Sequence, residues 1–270
     1  MVLQNHKTLA LNEYVKLVSN HSILECEVVL SKFLHEIHSN FGQQSTCPIL
    51  MVILDDKRQA CYENGKIFLY AGLLKYLLEA SSEDILSIRN HNINHYFLCW
   101  VVAHEFAHFI LNHNLIKITD SHISNKAFEF DADRLAIIMV YSSFKSIFVL
   151  IDKTELKKII LIGLYYFFKN KTKSDGRAYP ETFNTHPPWA MRMHYSIGIL
   201  SFQDCPSIAS EESKKTVAFL MNVLRILEND YELDPEFQEN DFNFDHYIKN
   251  HFDNDYENLL LEYEKLRILL

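Results

Sequence analysis

The sequence predicts an α+β fold, mainly α, in which a short sheet carrying a hairpin is surrounded by helices. Three observations carry this. Apolar residues make up 48% and aromatic residues 13% of the 270 positions, enough to bury a sizeable core. Only 6 Gly and 6 Pro interrupt the chain, which favours long helices over a turn-rich β protein. A hairpin signal, Asn64-Gly65, stands between two short runs, whereas helical periodicity covers most of the remainder.

In chain order, Leu9, Tyr14, Leu17 and Val18, then Leu24, Val28, Phe33, Leu34 and Ile37, recur at helical spacing, so residues 1–40 are read as two helices. Gly42 and Pro48 end them. Residues 49–54 are rich in β-branched side chains and read as a strand, and residues 59–62 and 66–70 flank Asn64-Gly65 as the arms of a hairpin. From Leu73 onward the pattern is helical, with breaks at residues 119–124, 170–188 and 229–234. No internal repeat is visible.

Charge divides the chain. Residues 228–270 hold 13 acidic and 3 basic residues, against 22 acidic and 23 basic in the rest. Residues 1–227 are therefore read as one domain and residues 228–270 as an acidic helical C-terminal extension. Its Phe242, Phe244, Tyr247, Phe252 and Tyr256 offer apolar surface among the carboxylates, suited either to a regulatory partner or to packing as a terminal subdomain. A net charge of -9 argues against a nucleic-acid partner. The five cysteines are odd in number, widely spaced and without CxxC, as in a reducing cytoplasm. The N-terminal residues show no apolar core of a signal peptide. The most apolar stretches, residues 135–144 and 159–168, are 10 residues each, against the roughly 18–20 of a membrane span, so no membrane span is expected.

His104-Glu105-Phe106-Ala107-His108 is an HExxH motif inside an apolar helical run. At 3.6 residues per turn the two histidines stand about 40° apart on one face, so both imidazoles can reach one metal ion, with Glu105 beside them. Zinc bound this way takes a third ligand and keeps an open position for a water whose pKa falls to about 7. Glu105 is the residue to take that water's proton. Leu111 and Asn114 occupy the positions where a metzincin carries Gly and His, which excludes that class. His113, extrapolated along the same helix, falls on the far side from His104 and is read as a backing or packing residue. Downstream, Glu129 and Asp133 lie one turn apart on an apolar helix. Glu129 is expected to be the third ligand, and Asp133 to orient a ligand histidine by accepting its other N–H.

These residues resemble the gluzincin peptidases of the HtpX and CAAX prenyl protease family. The shared features, in order, are HExxH followed by Glu-x-x-Ala-Asp (Glu129 to Asp133), and upstream the segment 58–74, similar to that family's edge hairpin. His113 falls where the family often has a histidine, and residues 185–193 resemble its Thr-His-Pro-x-x-x-x-Arg-Ile segment. Together they mark residues 58–193 as the motif core. The resemblance implies a zincin-type core around an HExxH active-site helix. It also implies that His186 and Arg192 lie near the active site, His186 as an oxyanion donor, and that Lys66, Ile67, Phe68, Leu69 and Tyr70 form an edge strand that binds substrate. Glu63-Asn64-Gly65 replaces the family's Pro-Gly-Gly, and the spacing from HExxH to Glu129 is shorter. In size and lack of spans the chain is also similar to the ImmA/IrrE regulators and the Lit phage-exclusion protease.

The expected function is a cytoplasmic zinc metalloendopeptidase with one zinc per chain on His104, His108 and Glu129. Its catalytic residues are Glu105 and His186, Asp133 and Arg192 stand behind the ligands, and its substrate is a protein or peptide. The alternative is a metal-stabilised regulatory or binding protein whose HExxH helix is structural; retention of Glu105 favours the enzyme.

Overall fold

The computed structural model describes residues 7–19, 21–42, 46–57, 59–79, 93–113, 122–174, 189–205 and 210–232. Among these the order is β1 (Thr8–Ala10), α1 (Leu11–Val18), α2 (His21–Phe41), β2 (Ile49–Ile53), β3 (Ala60–Glu63), β4 (Lys66–Tyr70), α3 (Ala71–Glu79), α4 (Ile93–Ile110), α5 (His122–Ile147), α6 (Lys153–Ser174), α7 (Trp189–Phe202) and α8 (Glu211–Glu232). The α+β, mainly α architecture is as the sequence predicts.

The two N-terminal helices are present, and Ser19 separates them in a left-handed conformation (φ 52°). The helical reading of their first residues is corrected. Thr8–Ala10 forms a strand, because its backbone groups find partners on Ile53, Val52 and Met51 of β2, and a three-residue strand leaves no periodicity to detect.

The sheet runs β1-β2-β4-β3, with β2 and β4 parallel and the other pairs antiparallel. The hairpin is as expected. Asn64 (φ 50°) and Gly65 (φ 74°) both take the left-handed conformation that a tight two-residue connection needs. The expected edge strand is not at the edge: Lys66, Ile67, Phe68, Leu69 and Tyr70 lie between β2 and β3, and β3 is outermost. Burial explains the order. Ile67, Phe68, Leu69 and Tyr70 are all buried, Ile67 and Leu69 in the main core with Leu50 and Val52, Phe68 and Tyr70 in a second cluster with Ile53. The four residues of β3 are each half-buried, so the strand with apolar groups on both faces takes the flanked position. After β4 the chain turns into α3 at Gly72. Its N–H donates to the Asp55 carbonyl at 3.0 Å, and a Cβ there would sit 2.0 Å from the Asp56 carbonyl oxygen.

α4 is the central helix. It is apolar nearly all round and is packed by α2, α5 and α6 and, on another side, by β3. Tyr96 meets the ring of Phe144 edge-on at 4.7 Å, and Phe109 meets Tyr62 of β3 at 5.0 Å. Tyr165, Phe168 and Met191 are buried in the core and Tyr166 and Phe167 pack half-buried against it, while the side chain of Trp189 lies outside the described residues. α8 packs on α6 and α7, where Tyr165 donates its hydroxyl to the Leu227 carbonyl at 3.2 Å. This helix runs through position 228 to Glu232, and residues 233–270 of the acidic extension lie outside the described residues. No described helix is long and apolar enough to cross a membrane.

Candidate metal centre

The site is built from two packed helices, α4 and α5. An uninterrupted apolar run keeps α4 helical through HExxH, so His104 and His108 fall on the same side one turn apart. α5 returns along α4 and brings Glu129 to them. The His104 and His108 Nε2 atoms are 3.2 Å apart, Glu129 Oε2 lies 3.1 Å from His104 Nε2, and Glu129 Oε1 lies 3.6 Å from His108 Nε2. These three side chains form a group able to hold a metal ion. Ligand atoms of a tetrahedral zinc site, at bond lengths of 2.0–2.2 Å, stand about 3.3–3.6 Å from one another. The observed separations bracket that spacing. Two imidazole nitrogens turned on each other at 3.2 Å share either a proton or a metal ion, since two bare lone pairs would repel. The donor set therefore fits zinc in spacing and in chemistry.

Behind His104 stands a buried ion pair. Asp133 Oδ1 is 2.9 Å from His104 Nδ1, although the ring N–H does not point squarely at it. Arg192 of α7 clamps the same carboxylate from the other side, Nε to Oδ2 at 2.6 Å and Nη2 to Oδ1 at 2.7 Å. The guanidinium lies over the Phe168 ring at 4.4 Å. Burial opposes charge at both ends, yet the carboxylates prevail at His104 and the cations at Asp133. Burial lowers the His104 pKa, but Asp133 and Glu129 together carry it up to about 10. Burial raises that of Asp133, but Arg192 and then His104 hold it below the usual carboxylate value. Arg192, which the sequence connects to the site only through a resemblance, thus reaches His104 through Asp133.

His108 is backed differently. α4 ends at Ile110, Asn112 takes a left-handed conformation (φ 54°), and the reversal swings His113 back against the helix. His113 Nδ1 is 2.9 Å from His108 Nδ1, and its Nε2 is 3.9 Å from Asp131 Oδ2. Arg134 holds Asp131 through Nε at 3.0 Å and Nη2 at 2.9 Å. Helical extrapolation places His113 on the opposite side, because it continues a helix that has already stopped. Asp131 escapes the sequence reading altogether, and its one visible signal is its place between Glu129 and Asp133.

Glu105 is half-buried and stands apart from the three-residue group. Its carboxylate is felt on β3, where the Cys61 thiol is pushed up to about 11, first by its own burial and then by Glu105 and Glu63. Glu105 thus occupies the flank of α4 that faces the outermost strand. Lys66–Tyr70, one strand further in, is separated by β3 from that edge of the described sheet. His186 lies outside the described residues.

Compared with known proteins, residues 78–210 match the family model described as Peptidase U49, a span just under half of the chain that takes in α4 to α7 and leaves out the sheet. No curated protein and no solved structure matches the chain. The match supports a peptidase, an enzyme acting on protein or peptide substrates.

Proposed function

We propose that this chain is a zinc-dependent endopeptidase of gluzincin type. The observation that carries the reading is the convergence of His104, His108 and Glu129 at tetrahedral spacing, with Glu105 on the same helix but outside the ligand group. Two imidazoles and one carboxylate suit zinc and leave a coordination position open, as in catalytic sites. A metal with a purely structural role needs ligands only. Glu105, half-buried and uninvolved in ligation, is the group such a site would not require.

When bound, the metal supplies Lewis acidity, lowering the pKa of a water to about 7 and polarising a peptide carbonyl. The rest is done by the chain. Glu105 accepts the proton of the attacking water on its carboxylate and returns it to the leaving amine. Asp133, fixed by Arg192, sets the ring orientation of His104 and keeps its proton on Nδ1, so that Nε2 presents its lone pair. His186 is assigned to the developing oxyanion on the family resemblance alone. Digestion of a peptide library, with and without a chelator, tests this function together with elemental analysis of the protein. Chelator-sensitive cleavage at internal bonds by a protein holding one zinc is expected; cleavage indifferent to metal removal would overturn the reading.

The substrate strand is reassigned to β3. The Tyr70 N–H donates to the Gln59 carbonyl at 3.0 Å, and this sets the phase of the ladder. Gln59, Cys61 and Glu63 turn their backbone groups to β4, and Ala60 and Tyr62 turn theirs to the open edge. An extended peptide adding there meets the side of α4 that carries Glu105. Ala60→Pro deletes an outward donor and is expected to leave the melting temperature nearly unchanged while raising KM about tenfold, the worth of one backbone hydrogen bond. Cys61→Pro deletes an inward donor and is expected to lower the melting temperature. A folded Ala60→Pro protein with wild-type kinetics would remove β3 from the substrate site.

A further inference from the structure

We infer that His113 and Asp131 form a relay that aims His108 at the metal, so that His113 is a positioning residue and not a further ligand. The inference rests on the metal-site reading above and deepens it.

The two nitrogens of the His108 ring face different neighbours. Nε2 looks toward His104 and Glu129, and Nδ1 looks toward His113 Nδ1 at 2.9 Å. The two rings are strongly tilted, at 69° with centroids 5.0 Å apart, so the approach is edge-directed rather than stacked. A histidine that gives its Nε2 lone pair to a metal carries its proton on Nδ1, and that proton needs an acceptor. His113 Nδ1 is in position to accept it. The remaining proton of His113 then sits on Nε2, which faces Asp131 Oδ2 across 3.9 Å, an electrostatic contact longer than a direct hydrogen bond. Every proton in the row has one place.

Asp131 cannot do this work unaided. It lies two residues from both Glu129 and Asp133, about 200° around α5 from either, and so it leaves the helix on another side. His113 spans the interval to His108, and the ring of Phe128 at 4.6 Å helps to hold it. His113 and Asp131 are both buried, and Arg134 fixes the far end of the row. Both candidate ligand histidines are thereby backed by an Arg-anchored aspartate of α5, His104 directly and His108 through an imidazole. Nδ1 of His113 is taken by His108, and the described group able to hold a metal does not include His113.

The test measures metal binding by the full chain. Zinc affinity is obtained by competition with a chromophoric chelator, and coordination from the visible spectrum of the cobalt(II)-loaded protein, for wild type, His113→Phe, His113→Gln, Asp131→Asn, the His113→Phe/Asp131→Asn double variant and His108→Ala. His113→Phe keeps a ring but removes the acceptor, and is expected to weaken zinc binding about 10–100-fold. His113→Gln keeps an acceptor and should recover part of that loss. Asp131→Asn should weaken binding by less, and the double variant should be no weaker than His113→Phe alone, because the two act in series. The intensity and position of the cobalt bands should stay those of the wild type in all four. Unchanged affinity in His113→Phe, or additive losses in the double variant, would overturn the relay. A cobalt spectrum showing a changed coordination number in His113→Phe, with a loss as large as that of His108→Ala, would make His113 a ligand. Wild-type affinity in His108→Ala would instead remove the metal-site reading, and the relay with it.

Discussion

Glu105→Gln is expected to keep its fold and its metal and to lose about 10²–10⁴-fold in kcat, the usual worth of a positioned general base. The amide is nearly the size of the carboxylate, so the packing of α4 against β3 is little disturbed. It cannot take a proton from water. Metal content should hold because Glu105 stands outside the group formed by His104, His108 and Glu129. The measurement is kcat on a peptide found by library digestion, with zinc per chain determined on the same sample. A wild-type rate would assign the base elsewhere, and a fall in zinc matching the fall in rate would place Glu105 among the ligands.

The largest effect on stability is expected from Arg192→Met. Arg192 and Asp133 are both buried and joined at 2.6 and 2.7 Å, and removing the cation strands a carboxylate in the core. Breaking such a pair costs about 3–5 kcal/mol. For a domain of this size that lowers the melting temperature by roughly 6–20 °C. Asp133→Leu in the same background should recover part of the loss, since the carboxylate is then removed together with its guanidinium. The pH dependence has a definite sign. The Asp133 carboxyl is held below its ordinary value, by Arg192 and then His104 against burial. Its contribution is present above the unfolded pKa of about 3.9 and is lost as pH falls through the lower folded value. Wild type should therefore lose stability in that acid range more steeply than Arg192→Met. Melts from pH 2 to 7 measure both effects. A melting temperature within a degree of wild type would show that the pair contributes little.

The part of the candidate site that lies on continuous helices was legible in the sequence. HExxH and Glu129/Asp133 are spacing patterns, and as long as the helix continues, spacing fixes direction. His113 shows where that logic stops. Three residues past the end of α4, its position depends on the left-handed Asn112, which residue type alone does not announce. Asp131 has no periodic partner, and its role exists only because His113 turns back. In the sheet, Asn64-Gly65 disclosed the hairpin, because few other pairs accept two left-handed residues. Which arm lies outside is a tertiary matter. It depends on where β2 is, and the greater apolar content of Lys66–Tyr70 was the available clue to an inner position. β1 was too short to carry a pattern.

The spacing of the site along the chain has a consequence for assembly. His104, His108, His113, Glu129, Asp131 and Asp133 all lie on α4, α5 and the turn that ends α4, whereas Arg192 enters 59 residues after Asp133. Loop-closure entropy grows only with the logarithm of the loop, and local contacts form first. The α4–α5 hairpin can therefore gather every candidate ligand before α7 has docked, and the docking of α7 is the event that neutralises Asp133. On the proposed reading, a growing chain would offer a metal ion an open clasp and fasten it later from a distant part of its sequence.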